Sequence, residues 1–422
     1  MNKKGMVTTM TEYIKKPELL IPAGNLETLK TAVIYGADAI YIGGDLYGLR
    51  AKAKNFSMEE MKQGIAFAHS YGKKVYITAN ITAHNQDLGG IRYYFKDLRD
   101  FGEDRPDALI ISDPGVFSIA QEEIPEVELH ISTQANNTNY ESYRFWHKLG
   151  ASRVVSAREL TLEELIELRS QIPAEMEIET FVHGAMCIAY SGRCLLSNYF
   201  TGRDANLGAC THSCRWKYHI VEETRPGEYL PVEENERGTY IFNSKDLCMI
   251  EYIPELVKAG INSFKVEGRM KTALYVATVA RTYRKAIDEF FADPALYEAH
   301  KSDYMKEIRK GVNRQFTTGF FFGKPTHEDQ IYDHNTYEKA YTYLGTVLSE
   351  RAGLYELEQK NKFSVGESVE IIKPFGDTIE AVVLEIQDAD GSAMESCPHP
   401  QQRIFADFGV KLNVYDMIRR KE

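Results

Sequence analysis

Short apolar runs alternate with amphipathic stretches of helical period along the first two thirds of the chain. Glu18-Leu-Leu-Ile21 is an apolar run that ends in the turn Pro22-Ala-Gly24-Asn25. An amphipathic stretch follows to Tyr35, with Asn25 suited to cap it and Gly36 to end it. The unit then recurs. Strands are predicted at 39–42, 74–78, 108–111, 127–132, 153–155 and 176–182. Helices are predicted from Ser57 to Tyr71 and over 88–101, 114–123, 140–149 and 161–170. Seven strand–helix alternations imply a parallel sheet with helices outside it. Strands of four to six residues, each ending in a polar or glycine-rich loop, fit a closed α/β (β/α) barrel of the TIM type. A doubly wound open sheet is the alternative, weakened because no G-x-G-x-x-G follows the first strand.

Beyond residue 222 the pattern loosens. Residues 222–238 are polar and irregular, 240–242 and 263–266 read as strands, 247–259 and 271–291 as helices, and 299–310 as helical. Either late strand could close the barrel. After about Tyr337 short strands separated by Gly, Asn and Asp turns replace the alternation, at 343–348, 354–357, 368–372, 381–386 and 411–415. That is the pattern of a small all-β barrel. The expected organisation is a loose leader over 1–16, a (β/α) barrel domain over 17–336 and a β-barrel module over 337–422.

Composition narrows the class. The chain is 43% hydrophobic and 26% charged, enough to bury an ordinary core. Its net charge of −11 gives no global footprint for nucleic acid, so an RNA partner would need a local basic face. No run approaches the roughly 18 apolar residues that cross a bilayer, and the first 16 residues do not resemble a signal peptide. A cytoplasmic protein with reduced thiols and no membrane partner is expected.

The cysteines carry the candidate chemistry. Of six, Cys187, Cys194, Cys210 and Cys214 fall in the stretch 179–216. Four thiolates brought together can hold an iron–sulfur cluster or a structural zinc. The four-residue step from Cys210 to Cys214 suits zinc, whereas the seven-residue step from Cys187 to Cys194 favours a cluster. Cys248 reads as a buried apolar thiol, and Cys397 as incidental. A nucleophilic cysteine served by His183 or His212 is the rival, but it does not account for four thiols. Neither a G-x-S-x-G elbow nor H-E-x-x-H is present.

In a parallel barrel, chemistry sits at the C-terminal strand ends. Those ends carry Asn25, Asn80, Gln134 with Asn136, Arg158 with Glu159, Glu179 with His183, and then Lys265, Glu267 and Arg269. Amides and arginines of this kind suit a carboxylate or hydroxylated ligand, although any one of them could simply cap a helix.

The spacing Glu179-x-Phe181-x-x-Gly184-Ala185-Met186-Cys187, four residues, Gly192-x-Cys194-x-Leu196-Ser197 resembles the signature of peptidase family U32, the collagenase-like proteases. Leu20-Ile-Pro-Ala-Gly24, Ser132-Thr133-Gln134 and Lys265-Val-Glu-Gly-Arg269 extend the resemblance over most of the chain. Within that family the run from Cys194 to Trp216 and Asn243-Ser-Lys-Asp246 look like the tRNA hydroxylation branch. The resemblance implies 5-hydroxyuridine formation at the tRNA wobble position, oxygen-independent and linked to prephenate as co-substrate. It implies a 4Fe-4S cluster on Cys187, Cys194, Cys210 and Cys214, with Cys248 as a substitute for Cys214. It implies tRNA as partner, with a paralogous family member or other modification proteins beside it. The expected catalytic set is Glu179, His183, Arg158, Gln134, Glu267 and Arg269. A local basic face around Arg193, Arg203, Arg215 and Lys217 would offset the acidic net charge. The alternatives are a collagenase-like peptidase and a zinc-structured, non-catalytic RNA- or partner-binding subunit.

Overall fold

A computed structural model describes residues 15–45, 47, 55–187, 189–216, 219–220, 230–231, 243–325, 329–331, 338–399 and 401–422. The predicted leader up to residue 14, most of the polar segment 222–238, the predicted strand 240–242 and the domain boundary near 336 lie outside the described residues.

Each barrel strand is a short run of buried β-forming side chains: β1 (Glu18–Pro22), β2 (Ala39–Ile42), β3 (Lys74–Ala79), β4 (Ala108–Ile111), β5 (Glu128–Ile131), β6 (Arg153–Val155) and β7 (Glu177–Gly184). Farther along the chain, β8 (Asp246–Cys248) and β9 (Ser263–Val266) join the same sheet. Strands β1 to β7 pair in chain order, all parallel. Ser263 of β9 pairs with Glu18 on one side and Glu179 on the other, so β9 closes an eight-stranded parallel barrel. The doubly wound alternative is thereby excluded.

The helices are α1 (Leu26–Ile34), α2 (Met58–Ser70), α3 (Asn85–Arg99), α4 (Pro114–Glu123), α5 (Tyr140–Lys148) and α6 (Leu162–Gln171). Their starts follow the caps. Asn25, Ser57 and Thr161 each accept from the N3 backbone N–H in a capping box, satisfying donors the helix cannot. Then follow α7 (Leu196–Thr201), α8 (Ile253–Lys258), α9 (Ala273–Ala292) and α10 (Pro294–Ile308).

The helix expected over 247–259 is corrected. Its first residues form β8, antiparallel to β7 with Cys248 opposite His183, and only 253–258 are α-helical. The periodicity of this short apolar run does not separate a buried strand from a buried helix.

The C-terminal strands Tyr341–Arg351, Leu354–Glu358, Ser368–Ile372, Ile379–Val382, Glu385–Gln387, Arg403–Asp407 and Met417–Lys421 form one antiparallel sheet. Ile379–Val382 and Glu385–Gln387 lie at its opposite edges yet are nearly continuous in the chain. Between them Val383 N–H donates to Glu367 O and Leu384 N–H donates to Asp407 O, drawing the edges together into a partial barrel. The expected single strand over 381–386 is therefore two. The strand expected over 411–415 is a turn, and the last strand begins at Met417. This unit has its own apolar core, centred on Leu344, Leu357, Phe363, Ile404 and Ile418. It docks on the barrel through α1: Tyr35 Oη reaches both Ile372 O (2.9 Å) and Tyr415 O (2.8 Å).

Candidate functional site

At the C-terminal mouth of the barrel lies a cavity of about 500 Å³. Cys187, Cys194, Cys210 and Cys214 all line it, together with Gln134, Arg158, Lys265, Glu267 and Arg269 from the strand ends. Two loop contacts bring the cysteines there. Asn136 sits in the left-handed region (φ 53°) after β5, donates Nδ2 to Ser191 O (2.8 Å) and accepts from Arg193 Nε (2.7 Å). That clamps the turn between the first two cysteines. Asn206 donates to Cys194 O (3.3 Å), and Thr82 N–H donates to Asn206 O (3.2 Å), tying the second pair to the loop after β3.

Two glycines of the signature have steric reasons to be glycine. Gly184 has φ +104° and a Cβ there would stand 2.4 Å from Glu267 O. Gly192 has φ +77° and lies against the Gln134 backbone, where a Cβ would meet the carbonyl oxygen at 3.2 Å.

The floor is polar and rich in cations. The Arg158 guanidinium lies 3.9 Å over the Phe181 ring, donates to Ala185 O (2.6 Å) and stands 3.9 Å from the Glu267 carboxylate. Arg158 Nε and Gln134 Oε1 are buried and have no hydrogen-bond partner among the described residues. Buried polar atoms left in this state at a cavity wall suit a ligand that carries the complementary groups. Arg269 donates to Thr78 Oγ1 (3.2 Å) and Asn55 Oδ1 (2.9 Å). Lys265 Nζ sits 4.5 Å over the Tyr41 ring and 2.6 Å from Glu179 Oε1. Phe181, Ile110, Val155 and Met186 supply apolar wall.

Not every expected residue reaches this cavity. Glu179 is fully buried in the barrel interior and does not line it. It is held between Lys265 (2.6 Å) and Arg153 (3.0 Å), and Arg153 in turn binds Glu18 and Glu177. Burial alone would raise the Glu179 carboxyl, but those two cations override it and hold it at about 2. β7 is eight residues long, so its third residue lies well below the mouth. His183 is likewise buried, enclosed by the Tyr275, Tyr283 and Phe316 rings. Burial, with Lys271 nearby, pushes its imidazole down to about 3, so it is neutral at ordinary pH. Neither residue is placed for catalysis at the mouth; both brace the strand. Of the other rim residues, Asn25 serves as the α1 cap, and Glu159 does not line the cavity.

Cys248 is buried beside Tyr283 Oη (3.8 Å), away from the cavity, and burial raises its thiol to about 12. Cys214, not Cys248, shares the cavity with the other three thiols. Tyr41 and Lys265 belong to the floor but were not in the expected catalytic set; both sit on barrel strands, which is the available signal.

A four-thiol donor set on two loops facing one cavity suits a cluster chemically. His212 N–H donates to Cys210 Sγ (3.4 Å), the type of bond that stabilises ligating sulfur. As placed, no three His, Cys, Asp or Glu side chains among the described residues stand close enough together to hold a metal ion. None of the four is joined in a disulfide among the described residues. No helix among the described residues is long and apolar enough to cross a membrane.

Comparison with known proteins adds relatives. The model for peptidase family U32 matches residues 24–331, and that for the family's C-terminal domain matches 339–419. The chain is 41% identical over 408 residues to tRNA hydroxylation protein P1 of Bacillus subtilis, covering 96% of this chain and 95% of that protein. It is 40% identical over 429 residues to tRNA hydroxylation protein P of Escherichia coli, covering 91% and 92%. It is 33% identical over 339 residues to the Escherichia coli 23S rRNA 5-hydroxycytidine synthase, covering 76% of this chain and 50% of that protein.

Proposed function

The chain belongs to peptidase family U32, and within it we propose a tRNA hydroxylation protein that forms 5-hydroxyuridine at the wobble position. The observation that carries this reading is that four cysteines from two loops open into one cavity over a cationic barrel floor. Relatives at about 40% identity, matched over more than nine tenths of their length, carry tRNA hydroxylation in their names. A more distant relative is named for hydroxylating an RNA cytidine, which supports a reaction on RNA pyrimidines.

Cys187, Cys194, Cys210 and Cys214 would hold a 4Fe-4S cluster, which would supply redox chemistry beside the substrate without molecular oxygen. The protein's own residues bind and orient. Arg158 and Arg269 offer guanidinium donors to a carboxylate, and Gln134 Oε1 offers an acceptor to a hydroxyl. Such a floor suits an organic co-substrate bearing carboxylates and a hydroxyl, with prephenate as the candidate. Phe181, Ile110, Val155 and Met186 exclude water from its apolar part. The protein would act in the cytoplasm on tRNA, with a paralogue or other modification proteins as partners.

Deleting the gene, together with any paralogue, and measuring tRNA nucleosides by mass spectrometry tests the reading. Loss of 5-hydroxyuridine derivatives is expected; unchanged levels overturn it. His183 is sealed among aromatic rings and does not serve the peptidase reading, which is left with His212 at the cavity wall beside the four thiols. Gelatin cleavage abolished by one cysteine substitution would restore it.

A further inference from the structure

The stretch that carries the cysteines also carries an exposed apolar face. Tyr190, Leu195, Tyr199, Phe200, Leu207 and Trp216 are all large and exposed, with Tyr199 at 83%. Three of these rings are contiguous. Tyr199 meets Phe200 edge-on at 5.1 Å, and Phe200 meets Trp216 at 6.3 Å. They adjoin the cavity: α7, which bears Tyr199 and Phe200, begins two residues after Cys194 and ends two residues before Arg203, and both Cys194 and Arg203 line the cavity.

The local charge is opposite to that of the whole chain. Residues 189–216 contain Arg193, Arg203 and Arg215 against one acid, Asp204, in a protein of net charge −11. A surface that joins exposed rings to arginines suits single-stranded nucleic acid, whose unpaired bases stack on rings while its phosphates meet cations. A protein partner would be served by the apolar area but would not call for the arginines.

We propose that the Tyr199–Phe200–Trp216 face is a stacking platform for unpaired bases of the RNA loop that enters the cavity, with Arg203 meeting the backbone at the cavity edge. This rests on the reading of the protein as a tRNA-modifying one. It assigns recognition of an unpaired loop, as opposed to a duplex, to side chains outside the cysteine set.

The test uses the full-length protein purified without oxygen. Binding is measured at fixed salt to an RNA hairpin with a seven-nucleotide loop and to a fully paired RNA of the same length. Y199A is expected to weaken hairpin binding by about 5- to 150-fold, the range for losing one stacked base, and to leave duplex binding unchanged. Y199W is expected to restore it, which a merely structural role would not predict. Tyr199 is too exposed for its loss to threaten folding. Wild-type affinity for the hairpin in both Y199A and the double variant Y199A/F200A overturns the platform. So does an equal loss on hairpin and duplex, or a change in oligomeric state on ultracentrifugation, which would make the face a contact between protein copies. The two readings fail separately. If wild-type protein restores 5-hydroxyuridine to a deletion strain and Y199A does so equally well with unchanged hairpin affinity, only the platform falls. If wild-type protein restores nothing and binds neither RNA, both fall.

Discussion

Cys214 and Cys248 compete for one role in the sequence, and their surroundings differ in kind. Cys214 lines the cavity with three other thiols, whereas Cys248 is buried behind the barrel wall with its thiol raised to about 12. A thiol that resists ionisation is a poor ligand. Serine substitution at Cys187, Cys194, Cys210 or Cys214 is therefore expected to remove most of the iron and the broad absorbance near ~400 nm. C248S is expected to keep both. Colourless protein with stoichiometric zinc would overturn the cluster. His183 makes a second residue-scale prediction. Its folded pKa of about 3 lies below the ordinary value of 6.5, so the unfolded chain binds a proton that the folded one refuses. Stability is full above about pH 6.5 and declines as pH falls toward about 3, by roughly 2 kcal/mol at pH 5. His130, also pushed down by burial, acts in the same direction. H183F is expected to flatten the urea-melt stability profile between pH 6.5 and 5 without abolishing the slope. An unchanged slope would show that His183 is not sealed from protons.

The strands and helices of the barrel follow the sequence closely because their information is local. Asn25, Ser57 and Thr161 announce helix starts, and the strand runs 39–42, 108–111, 153–155 and 263–266 lie where the apolar pattern puts them. β7 is different. It continues to Gly184, two residues beyond the expected end, because β8 pairs with its last turns from a point more than sixty residues away. That extension leaves Glu179 deep in the barrel rather than at its rim. E179Q would leave the Lys265 and Arg153 charges buried with less compensation, and is expected to cost about 3–5 kcal/mol of stability. Thermal or urea unfolding measures this. A fully stable E179Q that lost only turnover would return Glu179 to a catalytic role.

At the scale of the whole molecule, the C-terminal unit meets the barrel through Tyr343, Ile372 and Met417, which pack into the barrel's core, and through polar contacts beside them. Tyr35, the buried C-cap of α1, reaches two carbonyls of the C-terminal unit, and Arg419 of that unit pairs with Glu307 of α10 (3.0 Å). Y35F keeps the ring and removes the donor. It is expected to cost about 1–3 kcal/mol, because the buried Ile372 carbonyl loses this donor, and to leave iron content unchanged. Urea melts followed by fluorescence would record the loss. No change would mean that apolar contact alone docks the two units.

Periodicity, caps and the spacing of the cysteines are enough to specify a (β/α) barrel with a β module and a thiol-bearing loop at the seventh strand. Those features depend on neighbours within a few residues, so they are written in short stretches of chain. Three things depend on residues far apart in sequence and were decided only by folding. Ser263 closes the barrel by pairing with both Glu18 and Glu179. Glu179 and His183 are withdrawn from the mouth by the length of β7. Cys214, with Arg203 and the exposed rings beside it, is brought to the cavity while Cys248 is sealed away. Burial and approach set which of several chemically equivalent side chains can meet a ligand, and neither quantity has a local signature.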